Sequence, residues 1–383
     1  MFKFRYKALA IAALALSLSA CATSGGTATP TASKGTYDPQ FTAKVQADVD
    51  QYKAAQTTLP PSGGPKAVPG KNIAIVTITL AETGAKTITD ALTAAVQDIG
   101  WTSTVYDGQG SATTANDKMQ QAITTKPDAI VLVALDETTV GAGLAAAKAA
   151  NIPVACNACW DLSSADTKGP YADVQPALSL FSDMGKASAE YAYLQTQGHP
   201  KFLTFNDPAL SNLIARTNGF DDFMTECAAA GGDCSVVANT PFQVANVTTT
   251  LAANAATAAQ ANPSFNAVWA GFDFAGLQII NGLRQAGLVP GTTNQFMVSA
   301  NGDGENIKLI ASGGYQKATV AVAFKWGAYA NIDDLNRIFA GQPTVDQNVP
   351  IRLFDQSNAD QAQDGTWNGD ADFRAAYLAT WKG

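Results

Sequence analysis

From Lys71 onward two apolar patterns alternate along the chain. Residues 72–78 read Asn-Ile-Ala-Ile-Val-Thr-Ile, a β-branched run. Such a run fits a strand buried on both faces. Residues 87–100 then place Ile88, Leu92, Val96 and Ile99 at helical spacing and stop at Gly100. That pattern predicts a helix with a glycine at its end. The alternation continues with strands over 101–106, 129–134 and 152–155 and helices over 116–125 and 138–150. A second series follows, with strands over 201–205, 235–238, 267–270, 296–299 and 318–323. Between them lie helical patterns over 182–197, 214–231, 247–262, 275–287 and 304–312. Strand–helix alternation of this kind predicts an α/β fold with two doubly wound parallel-sheet lobes. Ligands of open α/β sheets bind beyond the carboxyl ends of the strands. The residues that directly follow each strand are therefore the site candidates.

The first 70 residues break this rhythm. Lys3, Arg5 and Lys7 precede an apolar stretch over 8–18. A mature membrane span needs about 20 apolar residues, so this shorter stretch reads as a secretory signal. It runs into Leu18-Ser19-Ala20-Cys21, small residues before a cysteine. The expectation is a bacterial lipoprotein signal over 1–20, cleaved before Cys21, with lipid on the Cys21 thiol. Residues 21–70 are rich in small polar residues, Gly and Pro, and are expected to be a lipid-anchored flexible tether. Within them residues 38–56 can form a short helix. About 310 residues remain for the folded body, enough for two domains.

Charge narrows the partners. The formal net charge is −8 and only 15% of residues are charged. No cationic run lies beyond the signal, so nucleic acid is not an expected partner. The single histidine, His199, lies in a Gly-His-Pro turn before a strand, so Ser–His–Asp or Cys–His catalysis has no components to assemble. No nucleotide-binding glycine loop and no zinc-protease motif occurs. The expectation is a protein that is not an enzyme and carries no cofactor and no metal.

The cysteines are informative. Beyond Cys21 there are four, Cys156, Cys159, Cys227 and Cys234. An even number outside the cytoplasm favours disulfides, and proximity pairs Cys156 with Cys159 and Cys227 with Cys234. The first pair lies in Val-Ala-Cys-Asn-Ala-Cys-Trp-Asp, residues 154–161. A zinc clip there would need about four ligands, and no second cluster exists. A stapled loop is the favoured reading, with free thiols or a redox pair as alternatives.

Several stretches together resemble one family. They are "KAANIPVACNA", "ARTNGFDDFM", "VWAGFDFAGLQIINGLRQAG", "VSANGDGENIKLIASGGYQKATVA" and "GAYANIDDLNRIFAGQP". Their order and spacing resemble type I periplasmic solute-binding proteins of ABC importers, in the sugar-binding, ribose-binding-protein-like branch. The resemblance covers about residues 71–355. It implies two lobes joined by a three-crossing hinge, with ligand in the cleft. The crossings are expected near Asp173, Val322 and Thr344. The N-terminal lobe would comprise 71–172 plus 323–344, and the C-terminal lobe 173–322 plus 345–383. The implied partners are a sugar, polyol or related ring compound, an ABC permease and its ATPase, and the membrane through Cys21. The chain would act as an extracytoplasmic monomer. A sensory receptor of the same fold and an extracytoplasmic glycan hydrolase are the alternatives.

The resemblance also assigns site residues. Glu82, after the first strand, matches a polar ligand position, although the family's aromatic pair is replaced by Gly84 and Ala85. Near Ala158 and Cys159 the family's Asp–Arg pair is lost, leaving Asn157, Trp160 and Asp161 as substitutes. Arg216 matches a ligand-binding arginine, whose fork can hold vicinal hydroxyls. Phe242 matches an aromatic that packs on ligand, and Phe272-Asp273 stands where relatives show Asn-Asp. Asn301 stands in place of a ligand aspartate, and Val322 near a glutamine. Asn206, Asp207, Lys325 and Trp326 are secondary candidates. The pattern points to a pocket more aromatic and less charged than that of an ordinary sugar receptor.

Overall fold

A computed structural model describes residues 38–163, 168–362 and 366–383 of the 383-residue chain. The expected signal over 1–20 and the lipidated Cys21 lie outside the described residues. No described helix is long and apolar enough to cross a membrane.

Two sheets organise the body. The first holds β1 (Asn72–Thr77), β2 (Thr102–Asp107), β3 (Ala129–Val133), β4 (Val154–Asn157) and β5 (Asp173–Gln175) in the order β2-β1-β3-β4-β5. All its strands pair parallel. The second holds β6 (Lys201–Phe205), β7 (Ser235–Asn239), β8 (Ala267–Ala270), β9 (Phe296–Asn301), β10 (Gln316–Val322) and β11 (Ile351–Asp355). Its order is β11-β10-β9-β8-β6-β7, and only β11 runs antiparallel to its neighbour. The β-branched runs read from the sequence form the central strands because both faces are covered by helices. Every residue of β3 is buried.

The helices follow from their apolar spacing. In α2 (Thr83–Asp98), Ala85, Ile88, Leu92, Ala95 and Val96 all turn inward. Helices α3 (Ala112–Thr124) and α4 (Glu137–Ala149) cover the first sheet. The second sheet is covered by α5 (Leu178–Gln195), α6 (Ser211–Ala229), α7 (Val247–Ala261), α8 (Asp273–Gln285) and α9 (Gly304–Ala311). Helices α5 and α6 approach closely at glycines. A Cβ at Gly219 would collide with the Ser182 carbonyl, and one at Gly185 with the Arg216 carbonyl.

Several elements carried no strong local pattern. They are β5, α10 (Phe324–Phe339), β11 and α11 (Phe373–Lys382). Strand β5 extends the first sheet through Gln175, so the chain leaves that lobe at Pro176, not at Asp173. The second passage follows Val322, where α10 begins and packs on α2, β4 and β5. The third lies between α10 and β11. The tail then divides: β11 edges the second sheet, while α11 returns to the first lobe and packs on α10. Trp381 donates its indole N–H to Asp333 at 2.9 Å, and Tyr377 donates to Gln347 at 2.9 Å.

The stretch expected as a tether holds α1 (Pro39–Lys53), which docks on α5 and β11. Val45 and Val49 are buried there, and Phe41 stacks on Phe223. Two valines one helical turn apart make a narrow apolar stripe, which the polar remainder of α1 masks in the sequence.

Two buried glutamine amides hold the hinge. Gln175 donates to Asp334 at 3.0 Å, and Gln347 donates to the same carboxyl at 2.9 Å and to Asp333 at 3.0 Å. One aspartate of α10 thus ties two of the three passages. Buried amides with satisfied donors hold one geometry more strictly than apolar packing does.

Candidate functional site

The cleft between the lobes contains about 500 Å³ of empty space, its open mouth included. Glu82 enters from the first lobe. It caps α2, accepting the N–H groups of Gly84 at 2.8 Å and Ala85 at 2.6 Å. Burial pushes its carboxyl above the ordinary glutamate range, while the two N–H groups and Arg216 pull it back. A carboxylate at a helix N-terminus also gains from the helix dipole.

Arg216 enters from the second lobe on α6. Its side chain is buried, with the guanidinium 4.8 Å above the Phe181 ring. Its Nη1 donates to the Gly271 carbonyl at 2.8 Å, and its Nη2 to Asn301 Oδ1 at 2.8 Å. Its Nε has no hydrogen-bond partner. Burial lowers its pKa to about 10, against the pull of Asp273, Glu82 and Asp303.

Asn301 ends β9 at φ 120°, a conformation that non-glycine side chains rarely adopt. Asp273 holds it there. That carboxyl accepts the N–H groups of Gly302 and Asp303, both at 2.8 Å, and hydrogen bonds from Ser299, Gln316 and Thr319. The Asn301 amide nitrogen reaches back to the first lobe. A Cβ built on Gly84 would lie 3.0 Å from it. The missing side chain at Gly84 therefore lets the lobes meet at this point.

The structure brings Glu82, Arg216, Phe272 and Asn301 together on the cleft. The other candidates take different places. Asp273 spends its oxygens inside the second lobe and does not line the cleft. Asn157 is the last residue of β4, not part of the following loop, because that strand runs two residues further than its apolar pattern. Its amide donates to Asn331 at 2.8 Å in the hinge. Trp160 is buried edge-on against Phe181, 4.7 Å between centroids. Asp161 accepts from the Ser163 N–H at 2.9 Å and its hydroxyl at 2.6 Å, a turn of its own loop. Phe242 is buried behind Phe272, 6.0 Å away, so it backs the wall.

The secondary candidates fall away from the cleft as well. Asn206 donates to the Leu213 carbonyl at 3.1 Å, and Asp207 accepts from Ala209 and Val244. Lys325 is exposed, and Trp326 is buried against Phe373 with its N–H on the Gln347 carbonyl at 3.0 Å. Their neighbour Phe324 lines the cleft instead. Both expected disulfides, Cys156–Cys159 and Cys227–Cys234, are present. The first spans the end of β4 and its loop. Ala158 beside it lines the cleft at φ 60°.

Sequence reasoning passed over several residues. Phe181 and Phe324 line the cleft just after lobe crossings, where no local pattern marks them. Asp136 follows β3 in Ala-Leu-Asp, so the strand-end rule reaches it. It lies at the start of α4 and makes no cap bond there. Its carboxylate instead accepts Ser211 N–H at 2.8 Å and the Ser211 hydroxyl, in the first turn of α6 across the cleft. Burial raises its pKa, against those two bonds. Ser211 in turn accepts the Trp160 N–H at 3.1 Å.

Two lobes, one with an all-parallel sheet and one parallel but for β11, are joined by three passages around a cleft. The periplasmic binding protein domain matches residues 73–343. The chain belongs to that family. No curated protein matches it in sequence. Among solved structures it is similar to an ABC sugar transporter subunit from Rhodobacter sphaeroides, at 18% identity and TM-score 0.65, over 75% of this chain and 99% of that one. The arabinose ABC transporter binding protein of Shewanella sp. ANA-3, bound to arabinofuranose, is similar at 19% identity and TM-score 0.65, over 76% and 93%. A Mycobacterium smegmatis protein in complex with β-D-fucofuranose is similar at 19% identity and TM-score 0.63, over 82% and 98%. At these identities the likeness establishes the fold, that of type I periplasmic binding proteins.

Proposed function

We propose that this periplasmic binding protein is a lipid-anchored extracytoplasmic solute receptor of an ABC importer. It takes a small hydroxylated molecule into the interlobe cleft and presents the closed form to a permease. The observation that carries the reading is the convergence of Glu82 from one lobe with Arg216 and Asn301 from the other. A ligand held by both lobes favours the closed arrangement by its differential contacts, and hinge closure is a known route for such receptors. Glu82, Arg216, Phe272 and Asn301 are the ligand contacts in this reading. Phe242 and Asp273 support them from behind, and Asn157, Trp160 and Asp161 shape the hinge and rim. The anchor is Cys21, in its Leu-Ser-Ala-Cys setting.

The test is native mass spectrometry of protein isolated from its own cells, followed by calorimetry with the retained molecule. A stoichiometric adduct is expected, with no turnover. Chemical conversion of the ligand would overturn the reading. Cys21→Ser should move the protein from the membrane to the soluble fraction, and unchanged membrane retention would remove the anchor.

A further inference from the structure

Polar groups are distributed unevenly in the cleft. Of the sixteen residues that line it, eleven are aliphatic or aromatic, among them Ile88, Phe181, Leu210, Leu213, Phe272 and Phe324. Four are polar, Glu82, Asn212, Arg216 and Asn301. Three of these meet at one place: Arg216 donates to Asn301, and Asn301 stands against the Gly84 turn that Glu82 caps.

Unspent hydrogen-bond capacity lies at that place and one helical turn away on α6, where the buried Asn212 Oδ1 also has no partner. A guanidinium carries five N–H donors. Arg216 gives one to Gly271 and one to Asn301, and its buried Nε has no partner. Each Glu82 oxygen accepts one backbone N–H and keeps a second lone pair. A hydroxyl that donates to Glu82 and accepts from Arg216 satisfies both, and a neighbouring hydroxyl uses the remaining donors. Glu82 shares the cleft with Arg216, and a carboxylate there opposes an anionic ligand that would seek the guanidinium. Over most of the remaining wall a hydroxyl would face hydrocarbon, and a buried hydroxyl left unpaired weakens binding by roughly tenfold.

We infer that the ligand is a neutral compound with adjacent hydroxyls on one edge and hydrocarbon or aromatic surface elsewhere, and not a sugar hydroxylated all round. This rests on the solute-receptor reading above and narrows its ligand class. Phe272 sets the preference, because its ring occupies wall that a polar side chain would need to hold the hydroxyls of a hexose.

The test is calorimetry of the full chain with four probes: catechol and phenoxypropanediol, polar on one edge, and D-allose and allitol, hydroxylated throughout. The expected result is at least about tenfold tighter binding of the first pair, abolished in Arg216→Lys. Phe272→Asn should reverse the preference, strengthening D-allose by about tenfold. Tighter binding of D-allose or allitol by the unaltered protein overturns the inference and leaves the receptor reading standing. Binding of none of the four also overturns it. The receptor reading falls separately, if protein from its own cells carries no small-molecule adduct in native mass spectrometry.

Discussion

The carboxylate of Asp136 in the first lobe accepts the backbone N–H and the hydroxyl of Ser211 in the second. Leu210, which precedes α6, offers no capping side chain, so a carboxylate from the opposite lobe takes that place. The bond exists only while the lobes touch. Asp136→Asn keeps the shape but loses the charge and one acceptor. A charge-assisted bond is worth about 1.5–3 kcal/mol. Ligand affinity should fall by about tenfold or more, and small-angle scattering should show a more open average shape. An unchanged scattering profile and affinity would deny the latch.

Arg216 holds the ends of β8 and β9 together as well as facing the cleft. Arg216→Lys keeps a cation among Glu82, Asp273 and Asp303 but loses the fork. Calorimetry should show at least a tenfold loss of affinity with little loss of stability. Arg216→Ala leaves the Gly271 carbonyl and Asn301 Oδ1 without their donor and should destabilise the fold by about 2–4 kcal/mol in denaturant titrations.

Trp160 is a packing residue in this structure. It supports Phe181, which in turn lies beneath the Arg216 guanidinium. Trp160→Ala should cost about 3–5 kcal/mol of unfolding free energy, as other buried tryptophans do. Any loss of affinity would then come through a displaced Phe181. Weaker binding at unchanged stability would instead place the indole in contact with ligand.

Glu190 of α5 is buried beneath α1. Burial and Asp48 of α1 push its pKa up to about 8, against Lys186 and Lys44, from an ordinary value of 4.5. Within that window the folded chain holds a proton that the unfolded chain releases. Stability therefore falls as pH rises from about 4.5 towards about 8, by at most about 1.4 kcal/mol per pH unit. Urea titrations across the window should show this slope, and Glu190→Gln should flatten it.

The Cys227–Cys234 bridge joins the end of α6 to the start of β7. Closing so short a loop stabilises by about 2–3 kcal/mol through the unfolded state. Replacing both cysteines by serine should lower stability by that amount. Affinity should hold, because Cys227 lies three helical turns, about 16 Å, beyond Arg216 on the same helix. A large change in affinity would mean that the bridge positions the whole of α6.

The strands with continuous β-branched runs and the helices with strong apolar spacing were legible because their burial is one-sided or complete along a single element. Strand β5 has three residues, too few to show a period, and the apolar stripe of α1 is two valines wide. For the site, the strand-end rule located Glu82 and Asn301, and family resemblance added Arg216 and Phe272. The same reasoning misplaced Asn157, since β4 ends only where its pairing with β3 ends, at Val133 opposite Asn157. Such an end depends on a partner strand more than twenty residues away.

Sequence alone therefore determined the α/β class, the two-lobe alternation and the strand ends from which a site could be built, and it favoured the two cysteine pairs. Those follow from local periodicity, compartment and chain order. Only the tertiary structure decided which polar residues still have hydrogen bonds to offer. Asp273 and Arg216 look equally available in sequence, yet the five groups that Asp273 serves come from two distant segments of the chain, residues 299–303 and 316–319, and they leave it nothing for a ligand. Arg216 keeps an unpartnered Nε because the chain brings it only two acceptors. Hydrogen-bond capacity is finite, and how it is divided is settled by which distant segments meet.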